Sequence, residues 1–135
     1  MFLNMLAVGC GGFIGAALRY VVSVAFNKLA LATTGQASFL FPVGTFAINF
    51  VGCFAMGFLA SFLPREYPSA AHLLLFATTG LIGGFTTLST FGLDAYNLFL
   101  RGEHLLAAFY AFGTFACCFV GIVAGVACSK AVTAQ

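Results

Sequence analysis

Four apolar stretches, about Leu3–Phe26, Phe41–Phe62, His72–Leu100 and Leu105–Cys128, dictate the solvent in which this chain can fold. Each reaches the ~20 residues that a helix needs to cross a ~30 Å hydrocarbon core. Lipid offers the backbone no hydrogen-bond partners, so an open-ended spanning segment has to be a helix. Composition agrees, with hydrophobic residues at 62% and charged ones at 6% of the chain, against roughly 25% charged in soluble domains. The expected fold is an all-α membrane protein with four transmembrane helices, forming a single domain over residues 1–135.

The first span lacks the basic leader of a signal peptide, is longer than its usual apolar core, and carries Arg19. It reads as a retained helix. The five cysteines, Cys10, Cys53, Cys117, Cys118 and Cys128, lie in apolar spans without a C-x-x-C spacing and read as small packing residues. A net charge of +2 with no run of Lys or Arg gives no footing for nucleic acid. His72 and His104 fall near span ends and read as interfacial; no hydrolytic or redox constellation accompanies them, so an enzyme is not expected.

Lys and Arg on the two sides of a membrane ordinarily set orientation. Here Arg65 and Lys130 stand on one side, Lys28 and Arg101 on the other, a tie that prefers neither. Either so few charges carry no signal, or the chain inserts both ways and two copies meet as an antiparallel, dual-topology homodimer, two inverted repeats on separate chains. Gly11/Gly15, Gly12/Ala16 and Gly121/Gly125 offer close-approach surfaces, between copies or within one.

The third span contains the stretch GGFTTLSTFG, Gly83 to Gly92. Glycine costs a helix about 1 kcal/mol relative to alanine, and the hydroxyls of Thr86, Thr87, Ser89 and Thr90 compete for backbone groups. A break near mid-depth is expected. Unwound backbone is tolerated there only where protein buries it or where it lines a cavity, and it exposes carbonyls for a hard cation and amides for an anion. The alternative is an intact helix whose hydroxyls bond back one turn and whose glycines allow tight crossing.

Other polar groups belong on the same inward side. Thr45, Asn49 and Cys53 share a face of the second span, where Asn49 is an interhelical tie or a pathway donor. Tyr110, Thr114 and Cys118 recur every four residues in the fourth span, as packing or as a ladder of donors. Phe91 closes the hydroxyl-rich segment with a ring edge of partial positive charge that can face a small anion. Arg19 can snorkel to the headgroups.

Three motifs in order, GGFIGAALRY (11–20), GTFAINFVGCFAMG (44–57) and GLIGGFTTLSTF (80–91), resemble the signatures of the Fluc/CrcB fluoride channels, and the four-span plan extends the likeness over nearly the whole chain. The resemblance implies a dual-topology antiparallel homodimer with two fluoride pathways and a structural sodium ion at its centre. By motif position, Gly83 and Thr86 carbonyls would hold sodium. Asn49, Phe91, Ser89, Thr90, Tyr110, Thr114, Cys118 and Arg19 would belong to the fluoride pathway. Three positions depart from the family's usual pattern: Leu88 replaces a phenylalanine, Asp94 a glutamate and Cys118 a hydroxyl residue. The implied activity is passive export of cytoplasmic fluoride across the plasma membrane of a prokaryote, the inner membrane where there are two, with lipid, fluoride and an inverted second copy as partners. The rivals are a small multidrug-type proton-coupled antiporter, which needs a membrane-embedded carboxylate, and a non-transporting assembly subunit.

Overall fold

The computed structural model describes residues 1–35, 41–62 and 68–134; Arg65, one of the four charges in the orientation tie, lies outside them. Among the described residues every regular element is helical, and four helices are long and apolar enough to cross a membrane.

The first helix, α1 (Phe2–Thr34), runs eight residues beyond the expected end at Phe26. No helix breaker intervenes, and the Thr33 and Thr34 hydroxyls donate back to Leu29 and Ala30 carbonyls within their own helix. Gly35 stops it in the left-handed conformation, φ 69°, with its N–H donating to Leu31 O. At 1.5 Å per residue, α1 is about 50 Å long and extends past the hydrocarbon core. Helix α2 (Val43–Phe62) follows Pro42, whose carbonyl accepts from the Phe46 N–H at 3.0 Å.

The third span is composite. It begins as α3 (Pro68–Leu75), widens into a π-helical segment (Phe76–Ile82), returns to one turn of α4 (Gly83–Phe85), and resumes as α5 (Leu88–Leu100). Thr86 and Thr87 between them are extended, with φ/ψ of −74°/160° and −150°/111°. The expected break exists and falls on the threonines, one step past the glycines. Helix α5 ends in a Schellman cap: Gly102, at φ 80°, donates to Phe99 O and Glu103 donates to Leu98 O. After a three-residue connection α6 (His104–Thr133) begins, and it outruns its expected end at Cys128 for the same reason as α1.

Small residues decide which helices touch. On α1, a Cβ at Gly11 would strike the Phe76 carbonyl and one at Gly15 the Leu81 carbonyl, so α1 lies backbone to backbone against the π-helical segment. Gly80 and Gly84 return the contact from the other side, against Val8 O and Gly12 O. Gly57 and Gly125 do the same between α2 and α6, against Ile122 O and Phe54 O. Gly11/Gly15 and Gly121/Gly125 thus serve packing within one chain, one of the two readings of the small-residue pairs. Close backbone approach is how membrane helices gain van der Waals contact where lipid removes the hydrophobic drive.

Outside these seams the chain presents large apolar side chains: Phe13, Phe112 and Phe115 are each more than three-quarters exposed. Such a surface is stable only against lipid or protein.

Candidate functional site

The break is held from across the bundle. In a continuous helix the Thr87 and Thr90 amides would donate to the Gly83 and Thr86 carbonyls. Instead, Thr87 N–H donates to Asn49 Oδ1 at 2.8 Å, and Thr90 N–H donates to Thr87 Oγ1 at 3.2 Å, capping α5. Asn49 Nδ2 completes the exchange by donating to Thr87 O at 3.0 Å. Asn49 is 8% exposed and Thr87 6%, so these bonds replace water that cannot reach them. The amide of Asn49 therefore ties α2 to the break, and its second Nδ2 hydrogen remains available.

Helices α2 and α6 run in the same direction, and their matched residues climb in steps of one turn. Thr45 and Tyr110 both donate to Asp94 Oδ2, at 2.6 and 3.4 Å. One turn on, Asn49 and Thr114 line a common cavity. After another turn Cys53 and Cys118 line the same cavity, and the next step is the Gly57–Ile122 backbone contact. The four-residue stripes on the second and fourth spans thus face each other as rungs, a register set by the glycine seam.

The cavity beside the middle rungs has a volume of about 300 Å³. Asn49, Thr86, Phe91, Thr114 and Cys118 supply its functional groups, and Leu88, Ile82, Phe115 and Ile122 its apolar wall. Thr114 is 4% exposed, yet its hydroxyl has no hydrogen-bond partner among the described residues. A buried hydroxyl without a partner costs on the order of 1–3 kcal/mol.

A second cavity of about 250 Å³ lies one turn toward the start of α2, where Thr45, Thr90, Asp94, Asn97 and Arg101 face Ser23 and Asn27 of α1. Two rings, Phe91 at the first cavity and Tyr110 at the Asp94 cluster, have centroids 5.1 Å apart; Tyr110 is wholly buried and meets Phe41 edge-on at 5.3 Å.

The predicted residues therefore separate into groups. Asn49, Phe91, Thr114 and Cys118 share the apolar cavity, while Thr90 and Tyr110 belong to the Asp94 side. Ser89 is exposed at the start of α5, its hydroxyl 3.3 Å from that of Thr87. Arg19 turns inward, Nη1 donating to Thr86 O at 3.4 Å. Gly83 and Thr86 have lost the amides that a helix would aim at their carbonyls, leaving oxygens of the kind a hard cation takes; that of Thr86 also accepts from Arg19, and Gly83 is exposed. The shorter Asp94 still reaches Thr45 and Tyr110. Sequence reasoning missed Gly52, where a Cβ would strike Thr86 Cγ2. Its spacing three residues after Asn49, on the same helical face, was the available signal.

Four apolar spans, one of them interrupted, with amide, hydroxyl and thiol groups turned into cavities between them, define a multi-pass membrane protein built to handle a small polar solute. The profile of the family described as CrcB-like protein, Camphor Resistance (CrcB), matches residues 6–126. The chain belongs to that family. It is 41% identical to a protein of Ruminiclostridium cellulolyticum named fluoride-specific ion channel FluC, over 98% of this chain and 97% of the other. It is 40% identical to fluoride-specific ion channel FluC 2 of Nitrobacter hamburgensis, over 97% and 100%, and 38% identical to the FluC protein of Rhizobium johnstonii, over 96% and 98%.

Proposed function

We propose that the chain forms a passive, fluoride-selective channel that lets cytoplasmic fluoride leave the cell. The relatives named as fluoride-specific channels support this at near full length. The observation that carries it in this chain is the Thr114 hydroxyl, buried without a protein partner in the cavity that Asn49 lines.

Fluoride is small and strongly hydrated, so conduction demands compact donors in place of water. The free Asn49 N–H, the Thr114 hydroxyl, the Cys118 thiol and the Phe91 ring edge offer them without a fixed cation that would trap the ion. Several weak sites in sequence allow departure as well as binding. Beyond the Phe91–Tyr110 pair, Ser89 and Thr90 supply hydroxyls and the Asp94 cluster continues the polar route; Arg19 attracts the anion from the Thr86 side.

The carbonyls of Gly83 and Thr86 would hold a sodium ion. One chain offers too few such oxygens for a hard cation, so an inverted second copy supplies the others, and the evenly split charges favour insertion in both orientations. When bound, the ion adds positive potential beside the pathway. An antiporter is disfavoured because no carboxylate among the described residues lines the apolar cavity; Asp94 lies in the other.

The test is release of fluoride and of chloride from liposomes carrying the purified chain alone, with a potassium ionophore to remove the opposing potential. Fluoride efflux with chloride retained is expected. Chloride release at a similar rate, or no release of either ion, would reject the proposal.

A further inference from the structure

One rung of the α2/α6 ladder brings sulfur into the cavity three times. Cys53 and Met56 lie three residues apart on α2, Cys118 faces them from α6, and all three line the 300 Å³ cavity that also contains Asn49 and Phe91. The two thiols are free, and both line this cavity from opposite helices. The glycine seam one turn on fixes the separation of their helices. The remaining cysteines have no such arrangement: Cys10 and Cys128 are exposed, and Cys117 does not line the cavity.

We propose that Cys53 and Cys118, with the Met56 thioether beside them, form a binding site for a soft d10 cation, mercury(II) being the probe, and that its occupation closes the cavity to fluoride. The closure rests on the fluoride pathway running through this cavity; the metal site itself does not. Thiolate and thioether ligands select soft cations over the hard ones that carbonyl and carboxylate oxygens prefer. A largely apolar wall whose polar groups are donors disfavours a bare divalent cation but admits neutral mercuric chloride. Each thiol then gives its proton to water and each sulfur forms a bond to mercury, while two chloride ions leave; no electron is transferred. The resulting S–Hg–S bridge spans α2 to α6 at the level immediately beyond Asn49 and Thr114.

The site is read directly by the ultraviolet band of a bis-thiolate mercury complex, on detergent-purified protein in which Cys10, Cys117 and Cys128 are replaced by serine. That variant is expected to show the band, and adding Cys53→Ser or Cys118→Ser is expected to abolish it. Persistence of the band with a single cysteine left would mean bridging between copies and would overturn the proposal, as would absence of the band in the starting variant. Should that variant fail to fold, alkylation mapping of the wild-type chain decides: mercury is expected to protect Cys53 and Cys118 together from N-ethylmaleimide, and protection of neither would overturn it. In proteoliposomes, mercuric chloride is expected to abolish fluoride efflux from the starting variant and excess 2-mercaptoethanol to restore it. The band together with undiminished efflux would refute the closure, whereas a chain that binds mercury but conducts nothing from the outset would fail only the fluoride reading.

Discussion

Asn49 and Thr87 exchange two hydrogen bonds across the bundle: Thr87 N–H to Asn49 Oδ1 at 2.8 Å, and Asn49 Nδ2 to Thr87 O at 3.0 Å. The same amide that lines the cavity holds open the break beside it. If fluoride passes through that cavity, structural support and solute contact reside in one side chain, and substitutions there should separate into two measurable effects.

Replacing Asn49 by alanine removes both backbone partners of Thr87 at once. Each buried backbone group left unpaired costs on the order of 1–3 kcal/mol. A clear fall in the thermal unfolding midpoint of the detergent-solubilised protein is expected, together with loss of fluoride efflux. Asn49→Asp keeps an acceptor for Thr87 N–H but turns a carboxylate oxygen toward Thr87 O and puts negative charge in the cavity, so efflux should be suppressed there as well. Wild-type efflux in the aspartate variant would remove Asn49 from the pathway.

Gly52 makes room for Thr86. A Cβ at position 52 would strike Thr86 Cγ2, and overpacking of this kind costs typically 1–3 kcal/mol. Gly52→Ala should lower both thermal stability and fluoride efflux, and Thr86→Ser, which removes the obstructing methyl group, should restore much of each. A double variant no better than Gly52→Ala would show that the contact does not shape the break.

Asp94 accepts from Thr45 and from the wholly buried Tyr110. Asparagine at position 94 keeps a carbonyl oxygen for those donors, whereas alanine strands both hydroxyls. Asp94→Ala is expected to be less stable than Asp94→Asn by on the order of 1–3 kcal/mol, read by thermal unfolding; equal stabilities would mean that the hydroxyls find other partners.

An inverted homodimer makes a sided prediction. With the native cysteines replaced by serine and Glu103→Cys as the single exposed thiol, a membrane-impermeant maleimide should label about half of the chains in sealed vesicles and all of them after permeabilisation. Labelling of all or none before permeabilisation would establish a single orientation.

The fold was legible where it depended on hydrophobic length. The four spans follow from runs of ~20 apolar residues, and only their ends moved, because the sequences after Phe26 and Cys128 contain no breaker strong enough to stop a helix. The break was legible from its glycines and hydroxyls, yet its position was not, since Gly80 and Gly84 are used for contact with α1 while Asn49, distant in sequence, selects Thr87 as the point of interruption. Stripe members could be grouped on each helix by periodicity, but pairing Thr45 with Tyr110 or Cys53 with Cys118 requires the register between α2 and α6. Backbone contact at Gly57 and Gly125 sets that register, and no single-helix pattern encodes it. Gly52 was overlooked because a glycine's role here lies in the neighbour it admits.

Thr114→Val separates folding from conduction most directly. Valine keeps nearly the same shape and removes a buried hydroxyl that has no protein partner, so the fold should be unchanged or more stable by on the order of 1 kcal/mol. If that hydroxyl stands in for water around fluoride, efflux from proteoliposomes should fall sharply while the unfolding midpoint holds or rises. Undiminished fluoride efflux from a fully folded Thr114→Val channel would contradict the placement of the pathway in this cavity.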